Sequence, residues 1–405
     1  MCVRIYNALL SWPEKIPFLW PFEFIIMRNA FLILPLILLF GCGSSSDSST
    51  IFDLNSRDSI SITDFVDHID IVQLESNSQS LLSNIAQLIF YNDNFYIRDS
   101  RQQALFCFSK TGDFKYKISS IGRGPEEYSS LGYFNIDPYN DRLMLLAPFG
   151  EILYFDLNGK FIKKTALPSE CKAYNEVYAI NKETLIFVSA AEFNFVYYSW
   201  IDNKIIKNTF PINPDIVLLP PIGRTYQYKD SIYFNSILNE NEIYNVSANI
   251  PSVRYKWHFG NLNYTRGQIE NIYQYIKEQQ AKQKPVRIVD FVGNSKVLDY
   301  FINNSFETNR YRIAQLTVMA NDSDLIFALY DKNKKSHYIF SRTTEGIQLN
   351  YRDITNESIV LWNYAPSYDY KYYEMSVLNA QQREIIHNHN EEQDNPFLVI
   401  YHLKQ

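Results

Sequence analysis

A strand–turn–strand unit that recurs along the chain is the feature that most constrains its fold. LFCFSKTGDFKYKI (105–118) and ILYFDLNGKFIKKT (152–165) each place a glycine-containing turn between two strand-like runs. The turn glycines are Gly112 and Gly159, so the unit repeats after roughly 47 residues. Asn-Gly, as in the second copy, is a strong hairpin signal because both residues tolerate positive φ. FVYYSWIDNKIIKNTF (195–210) repeats the form, so the chain is predicted to be built from hairpins at a fixed interval.

Two further strand-like runs precede each of the clearer hairpins, which gives four strands per unit. Weaker hairpins are predicted at 242–257 and 337–351. Four strands in 40–50 residues is typical of a β-propeller blade, and the high aromatic content of 16% favours strands. The predicted blades are about 85–120, 132–168, 175–212, 226–260 and 312–354.

A sixth blade is predicted to combine both ends of the chain. NPFLVIYHLK (395–404) supplies one closing strand and IDIVQLES (69–76) the outermost. Joining the ends in one sheet removes two exposed strand edges. The predicted fold is therefore all-β, a six-bladed β-propeller over 61–405 whose ring is closed by its N- and C-terminal strands.

Residues 261–311 interrupt the period and are predicted to form a helical insertion between blades 4 and 5. Thr265 and Gln268 have capping-box spacing, and apolar residues from Ile269 to Ile276 fall on one helical face. A second helical piece is predicted at 295–302.

The front of the chain has the pattern of an export signal. Residues 31–40 are apolar but too few to span a bilayer as a helix, and Met27-Arg28 stands just before them. We expect 27–41 to be the signal peptide and 1–26 to be upstream sequence that is not translated. The alternative is a membrane anchor that combines 16–26 with 30–41.

The end of this signal, LFGC, resembles the lipobox of bacterial lipoproteins. In that family the cysteine is lipidated and becomes the mature N-terminus, which here implies Cys42. The Ser-rich stretch that follows reads as a flexible tether over 42–60. The expected location is outside the cytoplasm, on the outer membrane or elsewhere in the cell envelope, with the lipid as the contact to the membrane.

The net charge argues against a nucleic-acid partner, and the cysteine content raises the question of a disulfide. The net charge is −6 and the basic residues form no patch, so nucleic acid is not an expected partner. An exported compartment permits a disulfide between Cys107 and Cys171. Two buried free cysteines are the alternative that the sequence leaves open.

Three motifs resemble those of the six-bladed β-propeller lipoproteins of certain Gram-negative anaerobes. They are IGRGPEEY (121–128), VRYKWHFG (253–260) and DNPFLVIYHLK (394–404), and the resemblance covers most of 60–405. Glu126 stands where that family often has glycine. The resemblance implies the architecture and the export signal, whereas the molecular function of the family is largely unassigned.

The loop 121–128 supplies the candidate binding residues, because propeller ligands usually sit at the central channel on such inter-blade loops. Arg123, Glu126, Glu127 and Tyr128 present charge and an aromatic ring, and Arg224 has a similar place two blades on. Two guanidinium groups at one channel would bind a carboxylate or sulfate. The alternative, which we favour, is structural: the loop's glycines and proline set a turn and its side chains hold it.

Two further stretches contain histidine or aromatic side chains, and for each the preferred prediction is that they form no functional site. HNHN is expected to carry exposed loop histidines at 387 and 389, and no metal or cofactor is expected. The aromatic run 361–375 suggests either a platform for sugar rings or, more simply, part of a blade core.

Two functions from different classes remain. The first is a lipid-anchored propeller that binds a glycan, peptide or protein without catalysis. The second is a propeller hydrolase or lyase with a channel-centred metal such as calcium. Because no acidic residue recurs regularly once per blade at the inner strand, binding is the preferred prediction.

Overall fold

The computed structural model describes most of the chain from residue 50 onward. The described residues are 50–147, 150–168, 174–189, 193–211, 224–235, 241–282, 299–318, 324–349, 353–355, 357–362 and 372–405. The predicted signal peptide, the upstream segment and Cys42 lie outside these ranges. Three α-helices occur in the described residues: α1 (Ile62–Phe65), α2 (Arg266–Ala281) and α3 (Ala380–Asn388). None of the described helices is long and apolar enough to cross a bilayer.

The strands form six antiparallel sheets of four strands each, arranged in a ring as a six-bladed β-propeller. In blades 1–5 the strands follow one another in chain order. Blade 1 contains β2 (Ile85–Tyr91), β3 (Asn94–Asp99), β4 (Ala104–Ser109) and β5 (Phe114–Ile118). Blade 2 contains β6 (Tyr133–Asp137), β7 (Arg142–Ala147), β8 (Glu151–Asp156) and β9 (Phe161–Ala166). Blade 3 contains β10 (Tyr174–Ala179), β11 (Thr184–Ser189), β12 (Phe193–Ser199) and β13 (Lys204–Pro211).

The second half of the ring has the same plan up to the closing blade. Blade 4 contains β14 (Arg224–Tyr228), β15 (Ser231–Asn235), β16 (Glu242–Asn245) and β17 (Ser252–Lys256). Blade 5 contains β18 (Tyr300–Glu307), β19 (Tyr311–Val318), β20 (Asp324–Asp331) and β21 (Ser336–Phe340). Blade 6 contains β22 (Asp353–Thr355), β23 (Ser358–Trp362), β24 (Phe397–Leu403) and β1 (Val66–Gln73).

Blade 6 confirms the predicted closure of the ring by both ends of the chain. Its strand order is β22–β23–β24–β1, so the first strand of the chain is the outermost and the last strand lies beside it. Ile71 pairs with Val399 in this antiparallel ladder. The pairing satisfies backbone groups that would otherwise form an open edge at either strand.

Apolar residues fill the spaces between neighbouring blades, and one buried cluster lies at each of the six interfaces. Between blades 1 and 2 the cluster includes Leu105 and Phe134, and between blades 6 and 1 it includes Ile97 and Leu398. A single twisted sheet cannot bury both of its faces, whereas a ring of sheets buries each face against the next. The core is therefore distributed around the ring.

The tether predicted over 42–60 is wrong for its described part. Phe52 and Leu54 are buried in the cluster shared by blades 4 and 5, and Phe52 packs edge-on against Trp257. Asp58 donates its backbone N–H to Ile339 and accepts from the Ile339 N–H through its carboxylate. Isolated apolar residues in a polar stretch gave no periodic signal, and so the packing of this segment was missed.

The insertion between blades 4 and 5 is shorter than predicted. Helix α2 begins with the predicted capping box, in which Thr265 accepts from the Gln268 N–H, and its own residues Ile272 and Ile276 are buried. Residues 300–302, predicted as helix, instead begin β18, the first strand of blade 5. Blade 5 therefore starts before residue 312, and the described part of the weak hairpin predicted at 337–351 contains the single strand β21.

Candidate functional site

The first strands of the blades meet at the centre of the ring. Strand β6 contacts β10, β14 contacts β18 and β2 contacts β22, so these are the innermost strands. Polar side chains join them across the blade interfaces. The Gln87 amide on β2 donates to the Phe134 carbonyl at 2.8 Å, and the buried Asn135 amide on β6 donates to the Val177 carbonyl at 2.9 Å. Each such bond fixes one inner strand against the next.

A cluster of hydroxyl groups around one carboxylate lies on three of these inner strands. Tyr133 is on β6, Glu176 and Tyr178 are on β10, and Thr225 is on β14; we call these four residues the inner-strand cluster. The Tyr178 hydroxyl donates to Glu176 Oε2 at 2.7 Å, and Thr225 Oγ1 donates to the same oxygen. The Tyr133 hydroxyl donates to the Tyr178 hydroxyl at 3.2 Å.

Burial dominates the electrostatics of the inner-strand cluster. It raises the pKa of Glu176, although hydrogen bonds from Thr225 and Tyr178 and the charge of Arg224 act in the opposite direction. Burial, and then the Glu176 charge, raise the pKa of Tyr178 well above its ordinary value. The Tyr178 hydroxyl therefore stays protonated, and it donates its proton to Glu176. A carboxylate held in a desolvated site with a raised pKa is a common feature of functional sites.

Arg224, predicted from sequence as a binding residue, lies beside this cluster. It is the first residue of β14 rather than part of a loop, and its side chain is exposed. Its charge acts on Glu176 and lowers the pKa of that carboxyl against the effect of burial. The site thus combines an exposed cation with a half-buried carboxylate and three hydroxyl groups.

In the loop 121–128, the other predicted binding element, two of the candidate residues make hydrogen bonds that stabilise the conformation of the loop. Glu127 Oε2 accepts from the Gly124 N–H at 2.7 Å. The buried Tyr128 donates its hydroxyl to the Gln103 carbonyl at 2.7 Å. The Gly122 N–H donates to the Tyr128 carbonyl at 3.0 Å, which closes the loop. These contacts support the structural interpretation of the motif.

Arg123 and Glu126 are exposed, as are Ile121 and Pro125 of the same loop. No contact among the described residues joins Arg123 to Arg224, so the pairing of the two guanidinium groups at one ligand stays a prediction. The inner-strand cluster was not predicted from the sequence, because Glu176 and Thr225 lie on different blades and come into contact only when the ring forms. The available signal was a glutamate inside the otherwise strand-like run YNEVYA (174–179).

Three other candidates from the sequence contain side chains that are buried or packed within the fold. His389 is not exposed as predicted: its side chain is 5% accessible and its Nδ1 lies 3.0 Å from Gln73 Oε1. Cys107 is a buried free thiol, and Cys171 lies outside the described residues. In the aromatic run, Trp362 is buried at the end of β23, and Tyr372 and Tyr373 pack against the cluster between blades 5 and 6.

A known structure shares this architecture. A Bacteroides fragilis protein described as exported (BF0058) superposes with a TM-score of 0.64 at 17% identity, covering 86% of this chain and 98% of its own. A DUF4221-family protein from Bacteroides vulgatus gives a TM-score of 0.48 at 9% identity, covering 83% of this chain and 98% of its own. At 17% identity, the likeness to the Bacteroides fragilis protein shows the fold alone.

The family comparison covers nearly all of the described chain. Residues 49–402 match a family described as a domain of unknown function, DUF4934. No curated protein matches this sequence. The sequence-based recognition of a fold-defined family with no assigned function is therefore confirmed.

Proposed function

We propose that this chain, which belongs to the DUF4934 family, is an exported, lipid-anchored β-propeller of the bacterial cell envelope that binds an oligosaccharide at its inner-strand cluster. The observation that carries the proposal is the pair of hydroxyl groups, from Tyr178 and Thr225, that donate to the Glu176 carboxylate, with the Tyr133 hydroxyl bonded to Tyr178 and Arg224 beside them. Three different blades supply these groups. Ligand sites commonly carry a few convergent polar groups, and here three blades bring those groups together.

The chemistry of the cluster suits a ligand rich in hydroxyl groups. A carboxylate accepts hydrogen bonds from sugar hydroxyls, and the Tyr133 hydroxyl, whose proton is donated to Tyr178, can accept a further one through its oxygen. The exposed guanidinium of Arg224 adds a planar pair of donors for a carboxylate or sulfate group on the ligand. An acidic oligosaccharide therefore meets every group of the site with a complementary one. Peptide and protein ligands are the other outcomes that the test distinguishes.

The test is a binding screen of the chain from residue 50 onward on oligosaccharide and peptide arrays. Glu176→Gln keeps the shape of the side chain and removes its charge, whereas Arg266→Ala changes an exposed arginine on α2 and serves as the matched control. Saccharide spots that bind the native chain and the control but not Glu176→Gln would support the proposal. Binding only to peptides, or equal binding by all three chains, would overturn it.

The lipid anchor rests on the sequence of residues 31–42. Its test is metabolic labelling with a fatty acid in a Gram-negative host that expresses the chain from Met27. The native chain is expected to carry label and fractionate with membranes, and Cys42→Ser to do neither. Equal labelling of Cys42→Ser would contradict lipidation at this residue.

The enzyme alternative predicts a calcium ion at the channel. Calcium takes six to eight oxygen ligands, usually from several carboxylates, whereas the inner-strand cluster contains the single carboxylate of Glu176. No observation on the described residues favours this alternative. A calcium titration followed by thermal melting would revive it if the melting temperature rose and Glu176→Gln abolished the rise.

A further inference from the structure

Two histidines and an aspartate come together on the seam that closes the ring. His68 and Asp70 lie on β1 and His402 lies on β24. His68 pairs directly with His402 across the ladder, and residues two apart on a strand share a face, so Asp70 projects on the same side as His68. One potential ligand atom from each of the three side chains lies within 4.8 Å of the other two.

The surroundings orient both imidazole rings. His68 Nδ1 lies 2.8 Å from Asp67 Oδ2, and His402 Nδ1 lies 3.0 Å from Ser358 Oγ. In each ring the second nitrogen, Nε2, is then the one available for a further ligand, and His402 Nε2 lies 2.9 Å from Asp70 Oδ2. An Nδ1 held by a carboxylate or hydroxyl is the usual outer support of a metal-binding histidine.

We propose that His68, Asp70 and His402 bind a zinc ion that ties the first strand of the propeller to the last. Zinc takes imidazole nitrogen and carboxylate oxygen at about 2.0–2.2 Å, so its ligand atoms stand about 3.3 Å apart in a tetrahedral site. Three protein ligands leave the fourth position for water. The observed separations therefore need only side-chain adjustment, with no movement of the paired strands.

The side chains have the freedom for that adjustment. The two imidazole rings stack at 4.1 Å between centroids with an angle of 13° between their planes, so they must tilt for their Nε2 lone pairs to converge. The accessible fractions are 57% for His68, 52% for Asp70 and 32% for His402. Exposure of this degree permits rotation about the side-chain bonds, and it gives an ion access from solvent.

The position of the site predicts how a bound ion would change the stability of the fold. Residues 68 and 70 precede blade 1 in the sequence, whereas residue 402 is almost the last of the chain, so the ion would join two ends that the fold already pairs in blade 6. An ion that binds the folded chain stabilises it by mass action. Zinc is therefore expected to raise the melting temperature by opposing separation of β1 from β24.

The test uses zinc chloride and the untagged chain from residue 50 onward, followed by calorimetry and by thermal melting. We expect one zinc per chain and a rise of a few degrees in the melting temperature. His68→Ala changes an exposed ring that makes no core contact, so this variant is expected to fold, to lose zinc binding and to lose the thermal shift. His387→Ala, an exposed histidine in the last turn of α3, is the matched control and is expected to behave as the native chain.

A second variant separates a zinc site from a simple hydrogen-bonded pair. Asp67→Asn leaves all three proposed ligands in place but weakens the support of His68, so the zinc dissociation constant is expected to rise about tenfold. The proposal is overturned if the native chain binds no zinc or binds it substoichiometrically. Zinc binding that survives in His68→Ala would equally overturn it, since the ion would then lie elsewhere.

Discussion

At the scale of single residues, Glu176 is the proposed ligand-binding carboxylate, and its burial also disfavours the charged form that it must adopt at neutral pH. Because its folded-state pKa is raised, its contribution to stability is present below its unfolded pKa and is lost as the pH rises through the folded value. Glu176→Gln is therefore expected to be at least as stable as the native chain at pH 7, with the difference disappearing below about pH 4. Thermal melts of both chains across this pH range test this. A native chain that is clearly more stable at pH 7 would contradict the account of the site.

Cys107 provides a second prediction at this scale. Burial raises the pKa of its thiol to about 11, and only the thiolate reacts readily. The folded chain is expected to resist iodoacetamide at this residue at pH 8, and the chain unfolded in guanidinium is expected to react within minutes. Mass spectrometry of the alkylated peptide measures both. Rapid labelling in the folded state would mean that the interface between blades 1 and 2 opens.

At the scale of elements, Glu345 holds the start of α1. Burial acts to raise its pKa, but hydrogen bonds from Ser61, the Ile62 N–H and Thr343 outweigh it and lower the pKa to about 2. A lowered pKa means stability that is present above the unfolded pKa and is lost as the pH falls through the folded value.

Glu345→Gln is accordingly expected to lower the free energy of unfolding by about 1 kcal/mol at pH 7. The difference from the native chain should shrink as the pH falls from about 4.5 towards 2, because both side chains are then neutral. Urea unfolding at several pH values measures it. A difference that stays constant down to pH 2 would show that the charge of Glu345 does not hold α1.

The individual turns and strands show how much of the fold could be predicted from the sequence. Turns were found because their chemistry is local: Gly112 and Gly159 both adopt the positive φ that a hairpin turn requires. Strand β18 was missed because YFINNSFE (300–307) interrupts its apolar residues with Asn303 and Asn304. Glu176 and Thr225 meet across two blades, and no local pattern reports a contact between residues so far apart in sequence.

At the scale of the whole molecule, the ring depends on the pairing of β1 with β24. A chain that begins at residue 75 lacks α1 and β1, leaves the outer edge of β24 unpaired and removes the buried Ile62, Phe65 and Ile71 from the core. Each buried apolar side chain contributes about 1.5–3 kcal/mol, so the truncated chain is expected to lose several kcal/mol and to aggregate.

The matched comparison is the chain that begins at residue 50 and keeps every described contact. Circular dichroism melts and size-exclusion chromatography of the two chains measure the difference. If the chain from residue 75 melted at the same temperature as the longer chain, closure by the first strand would not be needed for stability.

The central claim is that the folded ring binds its ligand at the inner-strand cluster and not at the loop 121–128. The measurement that tests it most directly is calorimetric titration of the array-positive saccharide into the native chain, Glu176→Gln and Arg123→Ala. The account predicts that Glu176→Gln loses at least about tenfold in affinity, which corresponds to about 1.4 kcal/mol, while Arg123→Ala binds as the native chain does. Loss of binding in Arg123→Ala, with full affinity in Glu176→Gln, would contradict it and place the ligand at the loop.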